Sequence, residues 1–268
     1  MGKKESTAVA AKPEQALAVI QSDEVPDYIK NEQRGSENVS TEDIVIPRLE
    51  LIQALSPAVK EGDPGFIAEA RPGMLMNSVT KQLYGKEVMV VPIVFMKQWL
   101  VWKKRKYIDP KSGKEVQTEG GFLGAFNSPE DAKARAAEEP VDPAQIEIID
   151  TPQHLCLLIN FNSGTYDEVM LSMPRTKAKI SRQWNSMIRL AGGDRFSRVY
   201  RITSAIEKKT KGDYYNFVVA QSGWPAKPIY NRAEKLWEQI QAGTRKVAMD
   251  VSDFDEADDT NAPDDTEM

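Results

Sequence analysis

Twenty-one residues, Glu87 to Tyr107, run without a single glycine, and this run restricts the fold more than any other part of the chain. Its first half, VMVVPIVF, is apolar at every position, the pattern of a strand buried on both faces. Pro92 cannot donate to a ladder, so it places that strand at a sheet edge or marks a bulge. The second half changes character. Read two residues at a time, one face holds Phe95, Lys97, Trp99, Val101, Lys103, Arg105 and Tyr107; the other holds Met96, Gln98, Leu100, Trp102, Lys104 and Lys106. A half-buried strand ordinarily separates an apolar side from a polar one, whereas rings and cations on one face suit a ligand that is both flat and anionic.

Elements of opposite character follow this strand. KYIDPKSGKEV is a turn with glycine, and GGFLGAF is a flexible apolar connection. NSPEDAKARAAEEPVDP holds an inserted helix near 129–138: Ser128 caps it, Pro129 suits the first helical position, and Glu130 and Asp131 favour its positive end. It is polar almost all round, as a surface excursion would be. HLCLLINF and YDEVMLSM are strands joined by NSGT. A helix follows from about Thr176 to Leu190, with Ile180, Trp184, Met187 and Ile188 on one apolar stripe and Gly192 and Gly193 ending it. SRVYRITSAI and DYYNFVVAQS form a second hairpin around KKTKGD. The last helix runs from about Asn231 to Gln241. Before the long strand, order begins near TEDIVIPRLELIQALSP, and GDPGFIAEARPGML makes a turn, a short strand and a turn.

Five strands with a helix between the third and fourth give the order of an OB-fold, so the expected class is mainly β (α+β). The expected architecture is an OB-like five-stranded barrel with a C-terminal helix and disordered termini. The expected boundaries are a disordered arm over 1–41, the OB-like domain over 42–247 and a disordered acidic tail over 248–268.

The residue inventory excludes much chemistry. One Cys (Cys156) and one His (His154) allow neither an intramolecular disulfide nor a Cys/His zinc site. Their alternation in HLCLLIN gives a buried Cys and a bystander His. There is no G-x-S-x-G, no phosphate loop and no G-x-G-x-x-G fingerprint. Carboxylates such as Asp150, Asp167 and Glu168 working with Mg²⁺ remain the one easily imagined catalytic apparatus. No cofactor is expected. No apolar run approaches the ~20 residues of a membrane span, and the first residues lack the apolar stretch of a secretory signal. The expected location is therefore the cytoplasm, that of a host if the protein is viral.

Net charge of −5 averages unlike parts. From Asp250 onward the chain has nine acids and no base, so residues 1–249 carry +4. Residues 1–40 hold five bases and seven acids, which leaves about +6 on 41–249. The tail cannot fold alone. It serves as a solubility tail, as an electrostatic competitor lying in a basic groove, or as an anchor for partner proteins through Phe254, Asp255, Glu256, Asp258 and Asp259.

Residues 175–211 contain eleven cations against Asp194 and Glu207. Rings lie among and just beyond them: Trp184, Phe196, Tyr200, Tyr214, Tyr215 and Phe217. Trp184 belongs to the helix's apolar stripe and so to the core; Tyr214 and Tyr215 point apart, so one of them meets ligand. KKTKG is a solvated hairpin tip or a phosphate clamp. Cations track backbone phosphates while rings stack on bases at about 1–3 kcal/mol each. Stacking needs unpaired bases, so the mixture favours single strands over duplex. The expected contacts are Lys97, Trp99, Lys103, Arg105 and Tyr107 from the long strand, with Arg195, Arg198, Tyr200, Arg201, Lys208, Lys209, Lys211 and Tyr214 from the second region.

IVIPRLELIQALSP and RTKAKISRQWNSMIRLAGGDRFSRVYRI, in a basic ring-bearing body with an acidic tail, resemble the single-stranded DNA-binding proteins of tailed bacteriophages over about residues 43–225. The resemblance implies a non-enzymatic protein that coats and protects strands in replication, recombination or repair. It also implies that the tail recruits phage or host replication and recombination proteins, and a homo-oligomer is compatible with it. Such tails often finish on an aromatic or apolar anchor beside acids, whereas this one ends DDTEM with Phe254 further back. The competing readings are a Mg²⁺-dependent nuclease or recombination factor, and a phage structural or scaffolding protein.

Overall fold

A computed structural model describes residues 34–40, 43–161, 164–208, 212–245 and 247. The chain divides into two units, residues 1–39 and 40–268. In the first, the described residues 34–39 form turns, with the Glu37 carboxylate accepting from the Gly35 amide. The expected arm lies otherwise outside the described residues, as does the acidic tail.

The second unit is mainly β with three helices. Its central strand is β4 (Glu87–Lys103), seventeen residues of the long apolar-then-mixed run. The other strands of the main sheet are β7 (Gly121–Phe126), β8 (Ile146–Asn160), β9 (Thr165–Ser172), β10 (Val199–Glu207) and β11 (Tyr214–Gly223). The order is β11-β10-β4-β8-β9, every pair antiparallel, with β7 joining the distal half of β4. The other small strands are β1 (Leu49–Leu51), β2 (Leu75–Asn77) and β3 (Leu83–Gly85), which form one sheet, and β5 (Lys106–Ile108) with β6 (Glu115–Gln117), which form a ribbon. The helices are α1 (Pro129–Glu138), α2 (Lys177–Ala191) and α3 (Lys227–Gln241).

The main sheet is open and does not close as a barrel, because β9 and β11 lie at opposite edges and do not pair. The segment around β1 reaches both edges. Arg48 bridges Met170 of β9 in parallel, the Met170 amide donating to Pro47 O at 2.8 Å. The Gln53 side chain binds both backbone groups of Tyr215 in β11, accepting from its amide at 2.9 Å and donating to its carbonyl at 3.0 Å. One core lies on one face of the sheet: Leu49, Leu51, Val88, Val90, Cys156, Leu158, Val169, Leu171, Tyr200, Ile202 and Phe217, with Trp184 of α2. The other lies on the opposite face, where Ala233 and Leu236 of α3 cover Val91, Ile93, Leu155, Leu157 and Met170.

Several sequence expectations change here. Pro92 lies beyond the β10 pairing, which ends at Val90, and before the β7 pairing, which begins at Trp99, so it has a ladder partner only in β8; the register to β8 shifts between Pro92 and Val94, and both the local edge and the bulge hold. GGFLGAF is strand β7, because β4 extends past β10 and leaves that edge free to pair. No strand occupies residues 63–74; the local strand is β2. The α1 cap is as expected, Ser128 Oγ accepting from the Asp131 amide at 3.1 Å, an interaction worth about 1 kcal/mol. Yet α1 is more than an excursion: Ala132 is buried where the helix packs on β4 and β7.

Candidate nucleic-acid interface

Over part of its length β4 places its side chains as the alternation predicts. Phe95, Lys97, Trp99, Val101 and Lys103 stand opposite His154, Pro152, Asp150, Ile148 and Ile146 of β8, and so share one face. The strand stops at Lys103, which removes the next two expected contacts from that face. Arg105 is exposed with its stem against Gly120; Tyr107 is half-buried, its hydroxyl accepting from Gln145 Nε2 at 3.2 Å. Val101 is fully buried among the rings and cations.

Both lysines of this face meet a carboxylate brought from elsewhere in the chain: Lys97 meets Asp150 at 2.7 Å, and Lys103 meets Glu139 at 2.5 Å. The first pair is exposed on both sides, and such pairs contribute about 0–1 kcal/mol, so a phosphate can displace Asp150 at little cost. Lys97 Nζ also lies 5.3 Å from the centre of the half-buried Trp99 ring.

The second region differs more from expectation. Tyr200 has no exposed surface; it packs edge-on against Trp184 and its hydroxyl is buried without a partner among the described residues. Tyr214 is also buried, donating to Glu207 at 2.6 Å. Neither can stack on a base. The cause is the pleat: Tyr200 and Ile202 line the core beneath α2, which turns Arg201 outward, exposed and 3.8 Å from Glu87. Lys208 is exposed, and Lys209 and Lys211 lie outside the described residues. So do Phe254, Asp255, Glu256, Asp258 and Asp259.

Arg195 is corrected from a surface contact to an internal tie. Its guanidinium donates to His154 Nδ1 at 2.7 Å and to Asn185 Oδ1 at 3.0 Å, and burial lowers its pKa. Because an arginine only donates, Nδ1 must accept, so the proton sits on Nε2 and is given to Ser181 Oγ at 2.7 Å. His154 stacks on Trp184 at 4.4 Å and is therefore no bystander: it joins β8, α2 and the loop after α2. Burial, then the Arg195 charge, hold its pKa well below the usual imidazole value. Cys156 is buried, and burial pushes its thiol pKa up.

Arg198 carries the feature that the sequence reading missed. Its guanidinium lies 3.4 Å from the ring centre of Trp224, and Trp224 is 71% exposed. Arg198 is fixed there by donating to Ala191 O at 3.3 Å and Ser197 O at 3.2 Å. A signal existed in SGWPAKP, where a Trp between Gly and Pro just past the last strand has no element to bury it.

Three cation–ring pairs thus follow one path: Arg198 on Trp224, Arg195 at 5.6 Å from Phe95, and Lys97 on Trp99. Phe95, Lys97 and Trp99 share a face of β4, and Arg195 ties that face to the loop bearing Arg198. Phe95 is 38% exposed. The nearby helix α2 adds exposed Lys179, Arg182 and Arg189, and contains no acid. On the opposite face, α3 covers β4 and parts of β8 and β9, with Glu168 holding Arg232 at 3.2 Å as well as Arg245. Of the carboxylates weighed for Mg²⁺ chemistry, Asp150 and Glu168 thus have cationic partners and Asp167 is exposed. Among the described residues no three His, Cys, Asp or Glu side chains gather as a metal site, and no helix is long and apolar enough to cross a membrane.

A family model described as Pam3 phage gp34-like protein matches residues 14–246. No curated protein and no solved structure matches the chain.

Proposed function

The chain belongs to the Pam3 phage gp34-like family, and from that premise we propose that it binds single-stranded DNA without enzymatic activity and coats strands in phage replication, recombination or repair. The observation that carries this reading is the path of three cation–ring pairs. Lys97 and Arg198 each set a positive group for a phosphate beside a flat surface for a base, while Arg195, held inside by His154 and Asn185, only anchors the exposed ring of Phe95; only unpaired bases leave their faces free to stack.

The architecture supports the same reading. Numbering β4, β8, β9, β10 and β11 one to five and leaving aside β5, β6 and β7, the sheet order is 5-4-1-2-3 with α2 between the third and fourth, which we read as an OB-like order opened where β1 lies. An OB-fold usually binds strands on the outside of its second and third strands, but α3 occupies that surface. The strand therefore follows the ring path along β4 and past α2. The acidic tail competes for this path until DNA displaces it, or recruits replication and recombination proteins.

Titration of the intact protein with oligo-dT tests the reading. Stacking on Trp99 and Trp224 quenches tryptophan emission, and neutralising about five phosphates at roughly −0.7 each gives a log–log salt slope near −3.5. Absence of quenching, or equal affinity for duplex of the same length, overturns it. Removal of residues 250–268 tightens binding if the tail competes; unchanged affinity leaves recruitment as its role.

A further inference from the structure

The β5–β6 ribbon is a basic element that the single-strand path does not use. Residues 103–118 contain six cations (Lys103, Lys104, Arg105, Lys106, Lys111 and Lys114) and two acids, Asp109 and Glu115. The register places Tyr107 opposite Val116, both half-buried on the inner face, where Gln145 holds the Tyr107 hydroxyl. The outer face therefore carries Lys106, Ile108, Glu115 and Gln117, all exposed, and Ile108 keeps 60% of its surface in solvent. Lys111 and Lys114 stand exposed at the tip.

The acids on this element are largely spent. Asp109 faces back into its own turn, accepting from the Lys111 amide at 3.0 Å and the Ser112 hydroxyl at 2.5 Å; Glu115 lies 3.5 Å from Lys106. The base of the ribbon is pinned by Lys104 N to Gln145 O and Thr118 N to Arg105 O, each 2.7 Å. An isolated two-stranded ribbon is marginally stable, and these ties set this one in place with Ile108 on its outer face and Lys111 and Lys114 at its tip.

Shape decides the ligand. The ribbon's outer face offers no ring for an unpaired base: its large apolar group is an isoleucine. A two-stranded ribbon fits the major groove of B-DNA, about 12 Å wide, where flanking lysines reach phosphates and an apolar side chain meets thymine methyls. We propose that the β5–β6 ribbon is a second DNA site that takes duplex, so that the protein engages junctions between duplex and single strand. This rests on the single-strand reading above. From Val90, which pairs with Tyr200 near the Arg198–Trp224 end, to Lys103 at the foot of the ribbon is at most roughly 45 Å along β4 at about 3.3 Å per residue. That span holds at most ~13 nucleotides at the duplex spacing of about 3.4 Å each, and fewer when the strand is extended.

Fluorescence anisotropy with three labelled probes tests the proposal: oligo-dT, a blunt duplex, and the same duplex with a single-stranded overhang of increasing length. The tailed duplex binds more tightly than oligo-dT of the overhang's length, and the excess stops growing at or below about 13 nucleotides. Substituting Lys111→Ala and Lys114→Ala together lowers the salt slope on the tailed duplex by about 1.8, at roughly −0.9 per phosphate contact, and leaves oligo-dT binding unchanged. Both lysines are exposed, so thermal unfolding stays the same. Equal affinity for oligo-dT and the tailed duplex overturns the ribbon site while sparing the single-strand reading, and so does a double variant that weakens both probes alike. Failure of oligo-dT to bind sinks the single-strand reading itself, and the junction proposal with it.

Discussion

Replacing Trp224 with alanine separates ring stacking from charge more cleanly than any other change in this protein. The indole is 71% exposed, with one face under the Arg198 guanidinium at 3.4 Å. The other face is the only large flat surface of the path that meets solvent so fully, since Phe95 is 38% exposed and Trp99 half-buried. A base stacked there contributes about 1–3 kcal/mol. At about 1.4 kcal/mol per tenfold, its loss weakens binding roughly 5- to 150-fold. Arg198 keeps its bonds to Ala191 O and Ser197 O, so the positive charge stays in place. The log–log salt slope therefore does not move in Trp224→Ala. Arg198→Ala does the converse, lowering the slope by about 0.7 as one phosphate contact disappears. Anisotropy with oligo-dT between 50 and 300 mM salt, on the order of the range where counterion release is visible, gives both numbers. Wild-type affinity in Trp224→Ala, or a slope that falls with the ring and not with the arginine, refutes the stacking argument. Folding does not confuse the result, because an exposed substitution shifts stability by about 0.5 kcal/mol or less.

Three further predictions rest on other parts of the structure. Tyr200→Phe leaves oligo-dT affinity unchanged, and by removing a buried hydroxyl without a partner among the described residues it raises the urea midpoint or leaves it in place; weakened DNA binding would return Tyr200 to the interface. Gly73→Ala destabilises by roughly 1–3 kcal/mol in urea melts, because Gly73 has φ +86° and a Cβ there would overlap the Tyr215 ring; an unchanged midpoint refutes this. Acid destabilises the fold through His154. Its pKa is lowered when folded, so the unfolded chain takes the proton first. The contribution is complete above pH 6.5, the ordinary imidazole value, and is lost as pH falls below it by up to about 1.4 kcal/mol per pH unit. Urea midpoints from pH 7 to 5 show the slope, and His154→Gln, which cannot titrate, flattens it; an equal slope in both proteins counts against the buried imidazole.

Local chemistry alone carried much of the plan. The Ser128 cap, the Trp184 stripe, the two hairpins and the helix between them depend on neighbours within a few residues, and they occur where the sequence places them, except that β8 begins at Ile146, eight residues before HLCLLINF. The mixed face of β4 also survives as far as Lys103, because strand pairing preserves alternation. Alternation, however, does not say which face turns inward. Only packing decided that Tyr200 and Tyr214 go to the interior, that Asp150 and Glu139 meet the two lysines, and that Arg195 turns in to His154. Period two is a property of one strand, while its direction is chosen by groups 40 to 130 residues away, as when Gly73 O receives the Ser204 hydroxyl. The exposed indole of Trp224 belongs to the same class: its value comes from Arg198, 26 positions earlier, which only the folded β10–β11 hairpin brings above it.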